Sequence, residues 1–116
     1  MRKVYLDFAA STPVDDRVVH KMLPYFRQEF GNPSSIHYYG QEADAAIFES
    51  RSKVSSLMGA KPEMVIFTSG GTESDNLAMR GTVFRMREDH GANHLLISPV
   101  EHPAVIETAR HLARHH

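Results

Sequence analysis

The sequence predicts an α/β fold with helices packed on parallel strands, and three observations carry that expectation. Two short continuous apolar runs, MVIFT (residues 64–68) and NHLLISP (residues 93–99), have the β-branched and aromatic content of strands buried on both faces. Each is followed by a helix-forming segment, and a long helical pattern precedes the first. After an irregular start, the order is therefore helix, strand, helix, strand, helix, which is the alternation of a parallel sheet with packed helices.

The opening stretch VYLDFAASTPV (residues 4–14) alternates loosely and breaks at Pro13, so it reads as a short extended piece ending in a turn. Asp15 or Asp16 then caps a helix running to about Gln28, with Val18 or Val19, Met22 and Phe26 on one face and Pro24 kinking or shortening its last turn. The cluster Gly31, Asn32, Pro33, Ser34 and Ser35 marks a structured loop. Residues 41–58 place Ala43, Ala46, Ile47, Val54, Leu57 and Met58 in one helical stripe, stopped by Gly59. A further helix is expected from about Thr72, where Thr72 and Asp75 have the spacing of a capping box. The last begins near Pro103, which suits a first-turn position. Two strands alone do not make a covered sheet, and no Gly or Pro follows Arg114 to end the last helix. The chain therefore reads as the front of a larger domain.

Composition narrows the function classes. Lys and Arg number 13 against 14 Asp and Glu, a net charge of −1 over 116 residues. This near-balance gives no support for binding nucleic acid or an anionic membrane, both of which favour a basic face. No apolar run approaches a membrane span, and the N-terminus lacks the apolar centre of a signal peptide. A cytoplasmic address is the default expectation. With no cysteine, there is neither a disulfide framework nor a thiolate metal site.

The segment TSGGTES (residues 68–74) sits where a strand is expected to meet a helix. Glycines at such a junction let the backbone approach a ligand, and the first N–H groups of the helix carry unpaired positive character. Ser69, Thr72 and Ser74 add hydroxyl donors, so a phosphate suits the arrangement. The nucleotide P-loop and the dinucleotide fingerprint are both absent. A tight turn with a capping threonine would explain the same residues without a ligand. One strand later, Glu101-His102-Pro103 emerges on the same expected sheet edge, making His102 a candidate to stack on or exchange protons with an aromatic ligand. His111, His115 and His116 share a helix end, as His90 and His94 share a loop. Only His111 and His115, and likewise His90 and His94, have the spacing of four that suits one face. No obvious third ligand completes either pair for tetrahedral zinc, and both read as solvated surface.

Four segments in order, YLDFAASTPVD, FGNPSSIHYYGQEA, IFTSGGTESDNLA and LLISPVEHPAV, together resemble the start of a cysteine desulfurase of the branch serving iron–sulfur clusters and tRNA thiolation. The resemblance implies a pyridoxal 5′-phosphate (PLP) enzyme of aspartate-aminotransferase type (fold type I). Residues 1–15 would form an N-terminal extended segment and 16–116 an incomplete front portion of the cofactor-binding large domain. It implies that Gly71 and Thr72 bind the cofactor phosphate, and that His102 stacks on the pyridine ring and assists proton transfers. It further implies conversion of L-cysteine to L-alanine with sulfur left as an enzyme persulfide. A sulfur-acceptor or scaffold protein would be the partner, and the full-length enzyme would be a homodimer.

The same resemblance calls for a Schiff-base lysine, an aspartate on the pyridine nitrogen and a nucleophilic cysteine beyond the end of this chain. Lys53 and Lys61 do not stand in such a motif. The expectation is therefore an N-terminal fragment, inactive alone. The alternatives are a selenocysteine lyase or another PLP enzyme of the same fold, and a non-catalytic desulfurase-like binding protein.

Overall fold

The computed structural model describes residues 2–116, which divide into two compact units with the boundary between Val65 and Ile66. In the first unit, the Asp15 carboxylate accepts the Arg17 N–H at 2.8 Å and so caps α1, Asp16–Met22. The expected shortening at Pro24 is larger than one turn: α1 stops at Met22 and Leu23–Phe26 winds as a 3₁₀ turn. Proline has no N–H for the α-helical ladder, and its ring crowds the preceding turn.

The second helix, α2, spans Tyr38–Leu57 and begins a little before the apolar stripe does. Its first turn lies directly on the Gly31–Ser35 loop. A Cβ at Gly40 would stand 2.1 Å from the Ser35 carbonyl oxygen, and one at Gly31 would stand 1.9 Å from that of Tyr39. Asn32 braces the loop by accepting the Ser34 N–H on its side chain and the Ser35 N–H on its carbonyl, both at 2.9 Å. At the far end Gly59 adopts φ 64°, the left-handed conformation that favours glycine. The Ala60 N–H then bonds the Ser55 carbonyl at 2.9 Å and the Gly59 N–H that of Ser56 at 3.3 Å, a Schellman stop. The stripe is only partly covered: Ala43 is buried, whereas Leu57 is 90% exposed. A second 3₁₀ turn, Pro62–Met64, closes the unit.

The second unit holds two helices, α3 (Gly71–His90) and α4 (Pro103–His115). Ala104, Thr108 and Leu112 form the buried stripe of α4, each one helical turn from the next. Asn76 on α3 meets Thr108 on α4, and the Phe84 ring meets that of His116 at 4.9 Å. Both pairs are 32 residues apart in sequence, so the two helices run side by side in the same direction. Their N-terminal ends share one end of the pair.

The expected parallel strands do not form among the described residues, where every regular element is a helix or 3₁₀ turn. Residues 65–68 and 91–98 are without helix or ladder. The physical reason is that a strand is made by its neighbours: without a partner its N–H and C=O groups have no ladder to join. The apolar side chains keep the alternation of a strand. Leu95 and Ile97 line a groove against α3 and α4, while Leu96 between them is 84% exposed. Burial on both faces, the other part of that expectation, is likewise not observed, since Ile66 is 65% exposed.

Candidate functional site

Gly70 precedes α3 in extended backbone and offers no side-chain cap. The first helical bond of α3 runs from the Ser74 N–H to the Gly70 carbonyl at 3.1 Å. The N–H groups of Gly71, Thr72 and Glu73 therefore open onto the helix start without an intrahelical partner. A Cβ at Gly70 or Gly71 would meet nothing within 4 Å. Neither glycine is demanded by packing or by a left-handed conformation, and the space before the helix is open to a ligand.

The expected capping box of Thr72 and Asp75 is replaced by another arrangement. The helix starts at Gly71, so Thr72 lies inside the first turn and Glu73 is the acidic side chain that reaches back. Its carboxylate accepts both the Ser69 N–H and the Ser69 hydroxyl at 2.6 Å. The Ser69 hydroxyl, followed by the Ser69 N–H, holds the Glu73 carboxyl below its ordinary value. Ser69 and Ser74 were both expected as ligand donors, but their hydroxyls are engaged within the chain. The Ser74 hydroxyl lies 2.6 Å from that of Thr68 and donates to the Gly70 carbonyl at 3.2 Å. The Thr72 hydroxyl takes part in no hydrogen bond among the described residues.

His102 is the N-cap of α4, with its Nδ1 accepting the Ala104 N–H at 3.1 Å. A backbone N–H can only donate, so Nδ1 carries the lone pair and the neutral ring holds its proton on Nε2. The ring is exposed. Because α3 and α4 run in the same direction, Gly71, Thr72 and His102 lie at the same end of the helix pair. His111, His115 and His116 gather at the opposite end, with the rings of His111 and His115 4.7 Å apart. Among the described residues no group of three metal-ligating side chains converges.

Asn76 and Thr108, which join the two helices, were not among the residues singled out from sequence. The available signal was a hydroxyl in the α4 stripe between Ala104 and Leu112, because a polar side chain in an apolar row requires a partner. Nothing local identifies that partner, 32 residues away. Among the described residues no helix is long and apolar enough to cross a membrane.

A family model described as aminotransferase class-V matches residues 4–116. The cysteine desulfurase IscS of Dictyoglomus turgidum is 46% identical over 113 residues, covering 97% of this chain and 28% of that protein. The putative cysteine desulfurase IscS 1 of Bacillus subtilis is 46% identical over 112 residues, covering 97% of this chain and 29% of that protein. Among solved structures, a NifS-like protein superposes with a TM-score of 0.89 at 35% identity, over 97% of this chain and 30% of its own. The chain thus spans under a third of the length of these relatives.

Proposed function

This chain belongs to the class-V aminotransferase family, and on that premise we propose that it forms the front of a PLP-dependent cysteine desulfurase. The reaction is conversion of L-cysteine to L-alanine, with sulfur held as an enzyme persulfide and passed to an acceptor for iron–sulfur assembly or tRNA thiolation. Residues 16–116 are the front of the cofactor-binding domain, the runs 64–68 and 93–99 become parallel strands once neighbours cover them, and the whole enzyme is a cytoplasmic homodimer. The observation that carries the reading is the common end of α3 and α4, which holds the backbone donors of Gly71 and Thr72, without intrahelical partners, and the exposed imidazole of His102 on a family-matched sequence.

The donor set fits the cofactor's phosphate. The N–H groups of Gly71 and Thr72 aim along a helix start where negative charge is favoured, and the Thr72 hydroxyl adds a third donor. A phosphate oxygen approaches most closely at Gly71, where no Cβ intervenes. His102 offers a ring face to the pyridine. Its bond to the Ala104 N–H fixes the ring and keeps the mobile proton on Nε2, the atom free to give it to or take it from a substrate. When bound, PLP supplies the electron sink for chemistry at the substrate α-carbon. The second unit has no lysine and the chain no cysteine, so this reading takes the amine and the sulfur nucleophile from outside these residues.

The test is to replace the matching segment of a full-length cysteine desulfurase with residues 4–116 of this chain. The swapped enzyme is expected to retain PLP, seen as a visible absorbance band, and to form alanine from L-cysteine. Thr72→Ala should weaken PLP retention, and His102→Ala should slow alanine formation. A folded swapped enzyme that takes up no PLP would overturn the proposal.

A further inference from the structure

Thr108 is polar yet only 4% exposed, on the α4 stripe that otherwise buries Ala104 and Leu112. Its hydroxyl donates to Asn76 Oδ1 at 2.8 Å. The same oxygen accepts from Arg80 Nε at 3.3 Å, while Asn76 Nδ2 donates to the Thr72 carbonyl at 2.9 Å. These bonds admit one orientation of the amide. Turned over, it would set its NH₂ against the Arg80 N–H and its oxygen against the Thr72 carbonyl. One side chain therefore holds the first turn of α3 from below and the second turn of α4 from the side.

The apolar contacts between these helices fix how far one slides along the other less sharply than a directional bond does. Ala104 is small, and dispersion contacts are not directional. A hydrogen bond between a buried hydroxyl and an oriented amide is directional, and breaking it leaves a buried donor unpaired. Thr72 stands four residues before Asn76, and His102 six before Thr108, so the tie lies roughly 6 Å and 9 Å along the two axes from the residues of interest. A slip of one turn would move His102 by about 5.4 Å relative to Thr72. That is comparable to a whole stacking distance between rings.

We propose that Asn76 and Thr108 are positioning residues whose hydrogen bond sets the register of α3 against α4, and with it the spacing between Thr72 and His102. The register itself is a property of the ligand-free chain. Its use rests on the reading that Thr72 and His102 share PLP.

The chain has no cysteine, so cysteines introduced at the exposed Ala78 and Glu101 can carry a pair of spin labels. In the full-length swapped enzyme, with its own cysteines replaced, the label–label distance should be single and narrow with Thr108 or with Thr108→Ser, which keeps the hydroxyl. It should broaden or shift by several ångströms (about one helical turn at most) in Thr108→Val and in Asn76→Ala. Thr108→Val conserves the buried volume, so it and the serine variant decide the question even if Asn76→Ala fails to fold. Unchanged narrow distances in Thr108→Val would overturn the proposal. In the full-length swapped enzyme, Thr108→Val should hold PLP about tenfold less tightly than Thr108→Ser. A shifted distance with unchanged PLP affinity would also overturn the positioning role. Failure of every swapped form to bind PLP, with the distance still dependent on Thr108, would instead overturn the shared-ligand reading and leave the register standing.

Discussion

A Cβ added at Gly71 would meet nothing within 4 Å, yet this residue opens α3 and stands closest to any anion on the helix axis. Alanine forms helix better than glycine by up to about 1 kcal/mol. Gly71→Ala is therefore expected to leave the PLP-free swapped enzyme as stable as before or slightly more so, while weakening its PLP retention. Thermal melts paired with PLP titration check this, and equal retention by the alanine variant would remove the case for close backbone approach. His102 permits a similar separation of roles. Asparagine is among the best N-cap residues, so His102→Asn should keep the start of α4, whereas His102→Ala should cost about 0.5–1 kcal/mol. Neither variant retains a ring to stack. If the two lower alanine formation equally while differing in helix stability, the ring acts in the chemistry and not only as a cap.

The helices also differ in how their ends are secured: a carboxylate serves the start of α1, through Asp15, and the start of α3, through Glu73. The bonds from Ser69 depress the Glu73 pKa in the folded chain, so their stabilising contribution is present above the ordinary glutamate range. It is lost as pH falls through the depressed folded value. Far-UV circular dichroism should show helicity falling, as pH drops below the ordinary glutamate range, more steeply in the wild type than in Glu73→Gln, which keeps an acceptor but cannot titrate. Identical acid profiles would mean that the carboxylate contributes nothing at this position. Such ends are largely written in local sequence, which is why Asp15, Pro24, Gly59 and Pro103 could be read as boundaries before any coordinates. The start of α3 was readable only in part, because Glu73 and Thr72–Asp75 are competing local solutions. Backbone geometry at Gly70 chose between them. The two apolar runs were readable as extended segments and, being only two, as too few to cover a sheet; the missing ladder was not readable, since a strand depends on partners that its own residues do not specify. The Asn76–Thr108 tie lay beyond local reading for the same reason.

Across the whole chain, the amount of apolar surface left uncovered governs behaviour in solution. Among the described residues the buried apolar side chains are Ala43, Ala104 and Leu112, while Leu6, Ile36, Leu57 and Val100 are each nearly 90% exposed or more. Burial contributes about 25 cal/mol per Å², and two alanines and a leucine supply little of what ordering a chain of this length requires. A ligand that binds only the folded state adds stability in proportion to the logarithm of its concentration over its dissociation constant. Phosphate contacts at one helix start provide only a small part of such affinity. The isolated 116-residue chain is therefore expected to bind an apolar-surface dye, to self-associate, and to melt without a sharp transition. It should bind PLP weakly or not at all, and should form no alanine from L-cysteine. Gel filtration after incubation with PLP, followed by a visible absorbance scan and an alanine assay, measures these outcomes together. A stoichiometric PLP chromophore surviving the column, or steady alanine formation, would show that the chain holds a working site without the amine and thiol assigned above to residues outside it.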